Sequence, residues 1–452
     1  MLLRGTNQSF REVPGASRLP RTRRPLHPPW ARPSAQVATS KGVRPDSKAD
    51  PRIVIQGSYG RGNLGDEIIL ECMLAELRSH FPSASFVVIS DDPDDTKRRH
   101  GVESIKRGGG RMQRLRRLQS LTGADLFILG GGELLKQYGS SDVSVMTWLG
   151  PLGLAHEMGV PTMTWAVGVS EALSPRAEAA TKEVLSKTDA VLVRDQQSLE
   201  VLQRLGVRKA QLTADPAFLF PGRHPGARGH PDSDQPKVSV FVNKWYVDRS
   251  VIPDIELWGR FEKGLAEALD GLIETQGARV RFIPMLVADI GDDDRAVARE
   301  IAGLSKNRES MELREDPVPA EELLTLISES SLVVGMRLHS LILAAALGVP
   351  ALAVEYQSKV RRFSLSIGAP EWVVGITGSN SDSIQALCRK AFAGAYPLAR
   401  VKEGLPALQD LARENARVAA NLIRGTKRKG NRLSRTAKGS VEVARRVIGR
   451  RS

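Results

Sequence analysis

Residues 52–70 read RIVIQGSYGRGNLGDEIIL, an apolar run, a glycine-rich turn and a helix start. Residues 333–360 read VVGMRLHSLILAAALGVPALAVEYQSKV and follow the same plan, with a cationic turn in place of the glycines. Such turns gather backbone N–H groups and the positive end of a helix around an anion. Two of them in one chain predict two halves facing one anionic substrate. The second also carries Arg337, a fixed cation, and His339, a proton-transfer group. The expectation is an enzyme handling a phosphorylated small molecule.

Working outward, the chain alternates short apolar runs with helix-length segments. Strands are predicted at 52–56, 86–90, 125–129, 162–167 and 190–193, with helices at 66–79 and 174–187 among them. The runs lack polar alternation, as expected of parallel strands covered on both faces. Residues 221–236, PGRHPGARGHPDSDQP, have no periodicity and read as a linker. A second series follows, with strands near 237–242, 279–283, 331–335 and 351–355, a helix at 258–275 and helical character over 380–424. The fold class expected is α/β, with two Rossmann-like doubly wound domains at 51–220 and 237–424.

The net charge of +14 is unevenly placed. Residues 1–50 hold ten Lys/Arg against three Asp/Glu, and residues 424–452 hold eleven against one. The ends together carry +17, which leaves the body between them near −3. Basicity therefore belongs to two tails, 1–50 and 425–452, expected to be disordered. Specific nucleic-acid binding would place its charge on a structured face and is not expected. The tails are solvated chain or touch anionic lipid at the inner face of the membrane. The first 50 residues lack a secretory apolar stretch, although their Arg-, Pro- and Ser-rich composition is also that of an organellar transit peptide. The expected location is cytoplasmic. Two cysteines, Cys72 and Cys388, exclude a disulfide framework.

Gly60 to Gly65 form a literal G-x-G-x-x-G, and Asp91 and Asp92 end the next strand where a ribose-binding acid would lie. The turn is wider than the dinucleotide fingerprint, and Asp66 and Glu67 would repel a phosphate on the helix start. Asn63 and Asp66 suit hydroxyl groups better, with Gly62 and Gly65 beside them. Gly130, Gly131 and Gly132 end a strand, where ligands sit in open α/β sheets. Arg194 ends another, beside Asp195, and Asp215–Pro216 closes the last strand of the first half; both also read as structural pairs or caps. Tyr356, Lys359 and Lys244 follow strands of the second half. Arg337 offers a planar fork for phosphate or carboxylate, and His339 exchanges protons near neutral pH. Phosphate-loop and metalloprotease motifs are absent, no histidine shows ligand spacing, and no bound metal is expected.

Together these segments resemble the polysaccharide pyruvyl transferase family. GNLGDE (62–67), ILGGGELL (128–135), VRD (193–195), TADPAF (213–218), GMRLHSLILAAALGVP (335–350) and EYQSKV (355–360) stand in family order. Lys244 and Gln357–Ser358 depart from the Arg and Asp-Pro that members often show. The resemblance implies a GT-B-like pair of domains with the site in the cleft. It implies phosphoenolpyruvate as donor, as a co-substrate with no further cofactor, and a glycan or lipid-linked sugar as acceptor. His339 then transfers protons, Arg337, Arg194, Lys244, Lys359 and Gly130–Gly132 serve the donor, and Asn63, Asp66, Gly62 and Gly65 the acceptor. Three other readings stay open: a nucleotide-sugar glycosyltransferase on the same fold, a dinucleotide-dependent oxidoreductase, and a non-catalytic scaffold recruited by the basic tails.

Overall fold

In a computed structural model of the chain, the described residues are 50–137, 141–227, 229, 235–244, 254–287, 293–378 and 380–428. The expected tails lie outside them, apart from Asp50 and the end of the last helix. The first half runs β1 (Arg52–Gln56), α1 (Leu64–His80), β2 (Ser85–Ser90), α2 (Pro93–His100), β3 (Glu103–Lys106), α3 (Arg111–Leu121) and β4 (Leu126–Gly130). It continues with α4 (Val143–Glu157), β5 (Thr162–Val167), α5 (Pro175–Lys187), β6 (Ala190–Val193), α6 (Gln196–Arg204), β7 (Ala210–Leu212) and the short α7 (Phe220–Arg223). The second half runs β8 (Lys237–Phe241), α8 (Ile255–Gln276), β9 (Arg279–Phe282), α9 (Asp294–Gly303), β10 (Met311–Leu313), α10 (Ala320–Ser328) and β11 (Leu332–Gly335). Then come α11 (Leu338–Leu347), β12 (Ala351–Glu355), α12 (Ser358–Ser366), β13 (Val373–Gly375), α13 (Ser381–Phe392) and α14 (Leu398–Arg428).

Each half builds one parallel sheet, in the orders β3-β2-β1-β4-β5-β6-β7 and β10-β9-β8-β11-β12-β13. The order reverses at β1/β4 and at β8/β11. A crevice opens there because successive crossovers leave to opposite faces, and ligands bind in it. Asn63–Glu67 follows β1, Gly131–Lys136 follows β4 and Arg337–His339 follows β11, so the chemistry-bearing segments sit at these reversals. The central strands β1, β4 and β11 are buried on both faces, which is why their apolar runs are continuous.

The two halves share apolar core. Leu64, Ile68 and Cys72 of α1, with Phe218 and Phe220, join the cluster that fills the second half. Helix α14 returns to the first half, where Ala416, Ala419 and Ile423 pack with Ile53, Leu70 and Trp165. It runs to Arg428, into the stretch expected to be tail. A further difference from the sequence reading lies at Asp215. Strand β7 ends at Leu212, and Asp215 caps a 3-10 turn, Pro216–Leu219, through the Ala217 N–H at 3.1 Å. Among the described residues no helix is long and apolar enough to cross a membrane.

Candidate active site

The start of α1 is closed by its own sequence. Asn63 is the N-cap and accepts from the Gly65 N–H at 3.1 Å, while Asp66 and Glu67 occupy the first turn. Glu67 accepts from the Gly60 N–H at 2.8 Å and meets His100 Nε2 at 2.8 Å, so it braces the glycine turn. Gly62 has φ of +74°, and a Cβ there would come within 2.6 Å of the Val287 carbonyl. The neighbouring Leu64 N–H donates to Met285 O at 2.8 Å. This turn therefore lies against backbone of the second half.

Gly65 makes the closest approach. A Cβ on it would stand 2.0 Å from His339 Nδ1, so the imidazole lies directly on the bare Cα. His339 is in the first turn of α11, whose N-cap, Arg337, gives no side-chain cap. His339 Nε2 is buried, without a hydrogen bond, 3.7 Å from Asp215 Oδ2. That is an ion-pair separation. Asp215 also receives Arg194 Nη1 at 3.1 Å. Burial would raise the Asp215 pKa, but His339, Arg194 and the Ala217 N–H outweigh it and hold it at about 2. Burial lowers the Arg194 pKa less than Asp215, Asp195 and Glu133 raise it. Asp66 behaves oppositely. Burial lifts it to about 6, Glu67 adds to the rise, and His339, Ser58 and Arg194 oppose it.

A second ion cluster crosses between the halves. Glu133 meets Lys359 Nζ at 3.0 Å and Lys136 Nζ at 3.3 Å, and Lys136 also donates to Gln357 Oε1 at 3.0 Å. Burial works against Glu133, yet Lys359, Lys136 and Arg194 hold its pKa at about 2. Burial and then the Lys359 charge pull Lys136 down to about 8, with Glu133 resisting. Burial would lower Lys359, but Glu133 and Tyr356 raise it. The segment carrying Glu133 is held by an irregular edge of β5. Ala166, a buried non-glycine residue, has φ of +49° where the pairing register shifts between Thr164 and Val167. The shift turns residues 168–170 alongside 132–135: the Gly168 N–H donates to Gly132 O at 2.8 Å and the Leu135 N–H to Gly168 O at 3.2 Å. Gly168 is small by need, since a Cβ would meet Glu133 Cα at 3.1 Å and the Arg194 guanidinium at 3.2 Å.

Asn63, Asp66, Gly62, Gly65, His339, Arg194 and Lys359 are thus gathered at the facing carboxyl ends of the two sheets. The glycines of 130–132 border this region through packing. The Gly131 N–H is taken by Trp165 O at 2.8 Å, a Cβ on Gly131 would strike Ile69, and one on Gly132 would sit 3.1 Å from Asp66 Oδ1. Two expected donor cations are engaged elsewhere. Arg337 turns its Nε toward both Asp294 oxygens at 3.1 Å, with Nη2 on Oδ1, and Asp294 accepts from the Met285 and Leu286 N–H groups at 2.9 and 3.0 Å. Lys244 bonds both oxygens of Glu300 at 2.8 and 3.0 Å. Asp91, read as a candidate ribose ligand, takes Arg61 and Arg107, and Asp92 caps α2. Lys136 and Glu133 had not been assigned roles. Their signal was the GGGELLK run, in which an acid and a lysine stand three residues apart after a sheet reversal.

A sequence model described as Polysaccharide pyruvyl transferase matches residues 63–358, well over half of the chain. The chain belongs to that family. The matched span begins on Asn63 and ends one residue before Lys359, so it holds nearly every group described above. As a family member the protein is a transferase of polysaccharide biosynthesis. It is 24% identical over 382 residues to the amylovoran biosynthesis protein AmsJ of Erwinia amylovora, covering 74% of this chain and 90% of that one. Its fold is similar to that of MnaA of S. aureus, solved with UDP, at a TM-score of 0.55 and 12% identity, over 80% of this chain and 94% of that one. It is also similar to a UDP-GlcNAc 2-epimerase of Neisseria meningitidis bound to UDP-GlcNAc, at 0.52 and 11%, over 82% and 99%. These likenesses establish the GT-B-like pairing of two Rossmann-like sheets for this pyruvyl transferase family member.

Proposed function

We propose that the protein transfers the pyruvyl group of phosphoenolpyruvate to two hydroxyls of one sugar in a glycan or its lipid-linked precursor, forming a ketal and releasing phosphate. The observation that carries this reading is the buried Nε2 of His339, 3.7 Å from the Asp215 carboxylate, on an imidazole seated against Gly65, the chain neighbour of Asp66. Asp215 is fully ionised near neutral pH, and Asp66 titrates at about 6. A group that exchanges protons is most effective when its pKa lies close to the working pH.

The chemistry needs one proton on the donor's methylene carbon and two hydroxyls added at its central carbon. His339, whose Nε2 lies 3.7 Å from Asp215 Oδ2, delivers that proton to the methylene. The first sugar hydroxyl attacks the central carbon as Asp66 accepts its proton. The second hydroxyl then displaces phosphate, which leaves with the remaining proton, and the ring closes. One hydroxyl proton is thus balanced by the new methyl group and the other by the phosphate. The donor's phosphate and carboxylate are held by Lys359, Lys136 and Arg194, cations that Glu133, Asp215 and Asp195 keep in place. The starts of α11 and α12, which lack side-chain caps, add backbone N–H groups. Arg337 positions the α11 start through Asp294. No further cofactor enters this scheme.

The experiment is incubation with phosphoenolpyruvate and candidate glycan acceptors, followed by mass spectrometry and phosphate release. A pyruvyl ketal formed with stoichiometric phosphate is the expected result. Product formed only with a nucleotide sugar would overturn it in favour of glycosyl transfer.

A further inference from the structure

Helix α3 has no part in the site and carries a surface of its own. From Ser104 to Ala124 no carboxylate interrupts six cations: Lys106, Arg107, Arg111, Arg114, Arg116 and Arg117. Arg107 is engaged by Asp91 and stacks 4.6 Å over Trp148, and Arg117 donates to the Lys106 and Gly108 carbonyls. Arg111, Arg114 and Arg116 are exposed and, among the described residues, form no ion pair. The same face presents Met112, 64% exposed, and half-buried Leu115. Val143, 66% exposed, begins α4, and both helices pack on one face of the first sheet. Both begin where strands end, on the side that faces the second half.

We infer that α3 and the start of α4 form a docking surface for an anionic lipid bilayer. The argument is charge complementarity joined to apolar exposure. A basic helix face that also bears apolar side chains gains from both the headgroup charge and the acyl boundary. A soluble polyanion gains nothing from Met112 or Val143. The body between the tails carries about −3 with this cluster included, so the cluster is a local departure and not part of a general basicity. Docked this way, the carboxyl ends of the strands lie toward the membrane. The inference is independent of the donor assignment, because binding is read without turnover.

The test uses the full chain. Met112→Cys is labelled with an environment-sensitive dye; the two native cysteines, Cys72 and Cys388, are buried and leave position 112 as the reactive thiol. Phosphatidylcholine vesicles are compared with vesicles that also contain phosphatidylglycerol. We expect a blue shift of the dye with the anionic vesicles only, diminishing with added salt. The triple variant Arg111→Glu, Arg114→Glu, Arg116→Glu should keep its melting temperature, since all three side chains are exposed, and lose vesicle partitioning by roughly 10²-fold or more. Vesicle binding with an unshifted dye, or full binding by the triple variant, would assign the attraction to the tails and overturn the inference. No binding at all would do the same, and so would an equal dye shift with a soluble polyanion such as heparin.

Discussion

The start of α1 and the start of α11 follow one plan, an apolar strand feeding a turn and then a helix, and they carry opposite chemistry. At α1 an asparagine caps the helix and two carboxylates fill its first turn. At α11 no side chain caps the helix, an arginine stands at the cap position and a histidine in the first turn. Two open helix ends facing each other would suit two anions and would repel a bound proton. The arrangement here couples them instead, with His339 resting on Gly65 beside Asp66. Backbone geometry makes a helix start a possible anion site; its first-turn residues decide whether an anion or a proton is held there.

The largest effect is expected where the two starts touch. His339→Gln should leave donor affinity by calorimetry near wild type and lower the single-turnover rate by roughly 10²–10⁴. Gly65→Ala should mimic that loss from the opposite side, because its methyl would occupy the space of His339 Nδ1. Alanine suits a helix better than glycine, so a rate loss without a fall in melting temperature would isolate the displaced imidazole. If both variants turn over normally, the coupling of the two starts has no catalytic meaning.

The next effect separates holding the α11 start from holding the donor. Asp294 is 1% exposed and faces Arg337. Removing the cation by Arg337→Met leaves a buried carboxylate poorly compensated, at a cost of about 3–5 kcal/mol in urea unfolding. Arg337→Lys should recover part of that, since it restores the charge without the fork. Unchanged stability with a large loss of donor affinity would make Arg337 a donor clamp and void the positioning role.

Much of this was legible in the sequence, for reasons that differ by residue. The strands later found as β1, β2, β4, β5, β6, β8, β9, β11 and β12 were visible because burial on both faces makes apolar runs continuous. Strands β3, β7, β10 and β13 are the edge strands of the two sheets, are three or four residues long, and include ESIK and AQL, whose polar content hides them. His339, Asp66, Arg194 and Lys359 were found because they follow strands at a sheet reversal or a strand end. The Arg337–Asp294 and Lys244–Glu300 pairs were not, because each joins residues more than 40 positions apart with nothing local to mark the partner. The close seat of His339 on Gly65 was equally hidden, since only the docking of the two halves creates it. The basic cluster of α3 is masked in the sequence by the two tails, whose charge is larger.

A smaller effect concerns the cluster between the halves and its dependence on acid. The folded-state pKa of Glu133, about 2, lies below its ordinary 4.5. Its pairing with Lys359 and Lys136 therefore adds stability above pH 4.5 that is lost as the pH falls toward 2. The full contribution is at most about 3 kcal/mol. The stability gap between wild type and Glu133→Gln, measured by denaturant titration, should be widest near pH 6–7 and narrow steadily through pH 4. A gap that does not change with pH would show that Glu133 acts by shape or hydrogen bonding and not by charge.

The smallest effect has the opposite sign and comes from the acidic start itself. Asp66 titrates at about 6 in the folded protein against an ordinary 3.8, chiefly because burial disfavours its charge. Below pH 3.8 the group is neutral in both folded and unfolded chains and costs nothing. Between pH 3.8 and about 6 the unfolded chain ionises this group while the folded protein keeps the proton or buries a charge, so stability relative to a neutral residue is lost over that window and is level above it. Asp66→Asn should therefore be more stable than wild type at pH 8 by on the order of 2 kcal/mol, with little gain left at pH 3. The same variant should lose turnover, because asparagine cannot accept the hydroxyl proton. In wild type kcat/KM should rise with pH through about 6, and in the variant that rise should vanish. A variant that is less stable than wild type at pH 8, or that keeps the rise, would show that the α1 start holds Asp66 as a structural carboxylate like Glu67, and the contrast between the two helix starts would then rest on His339 alone.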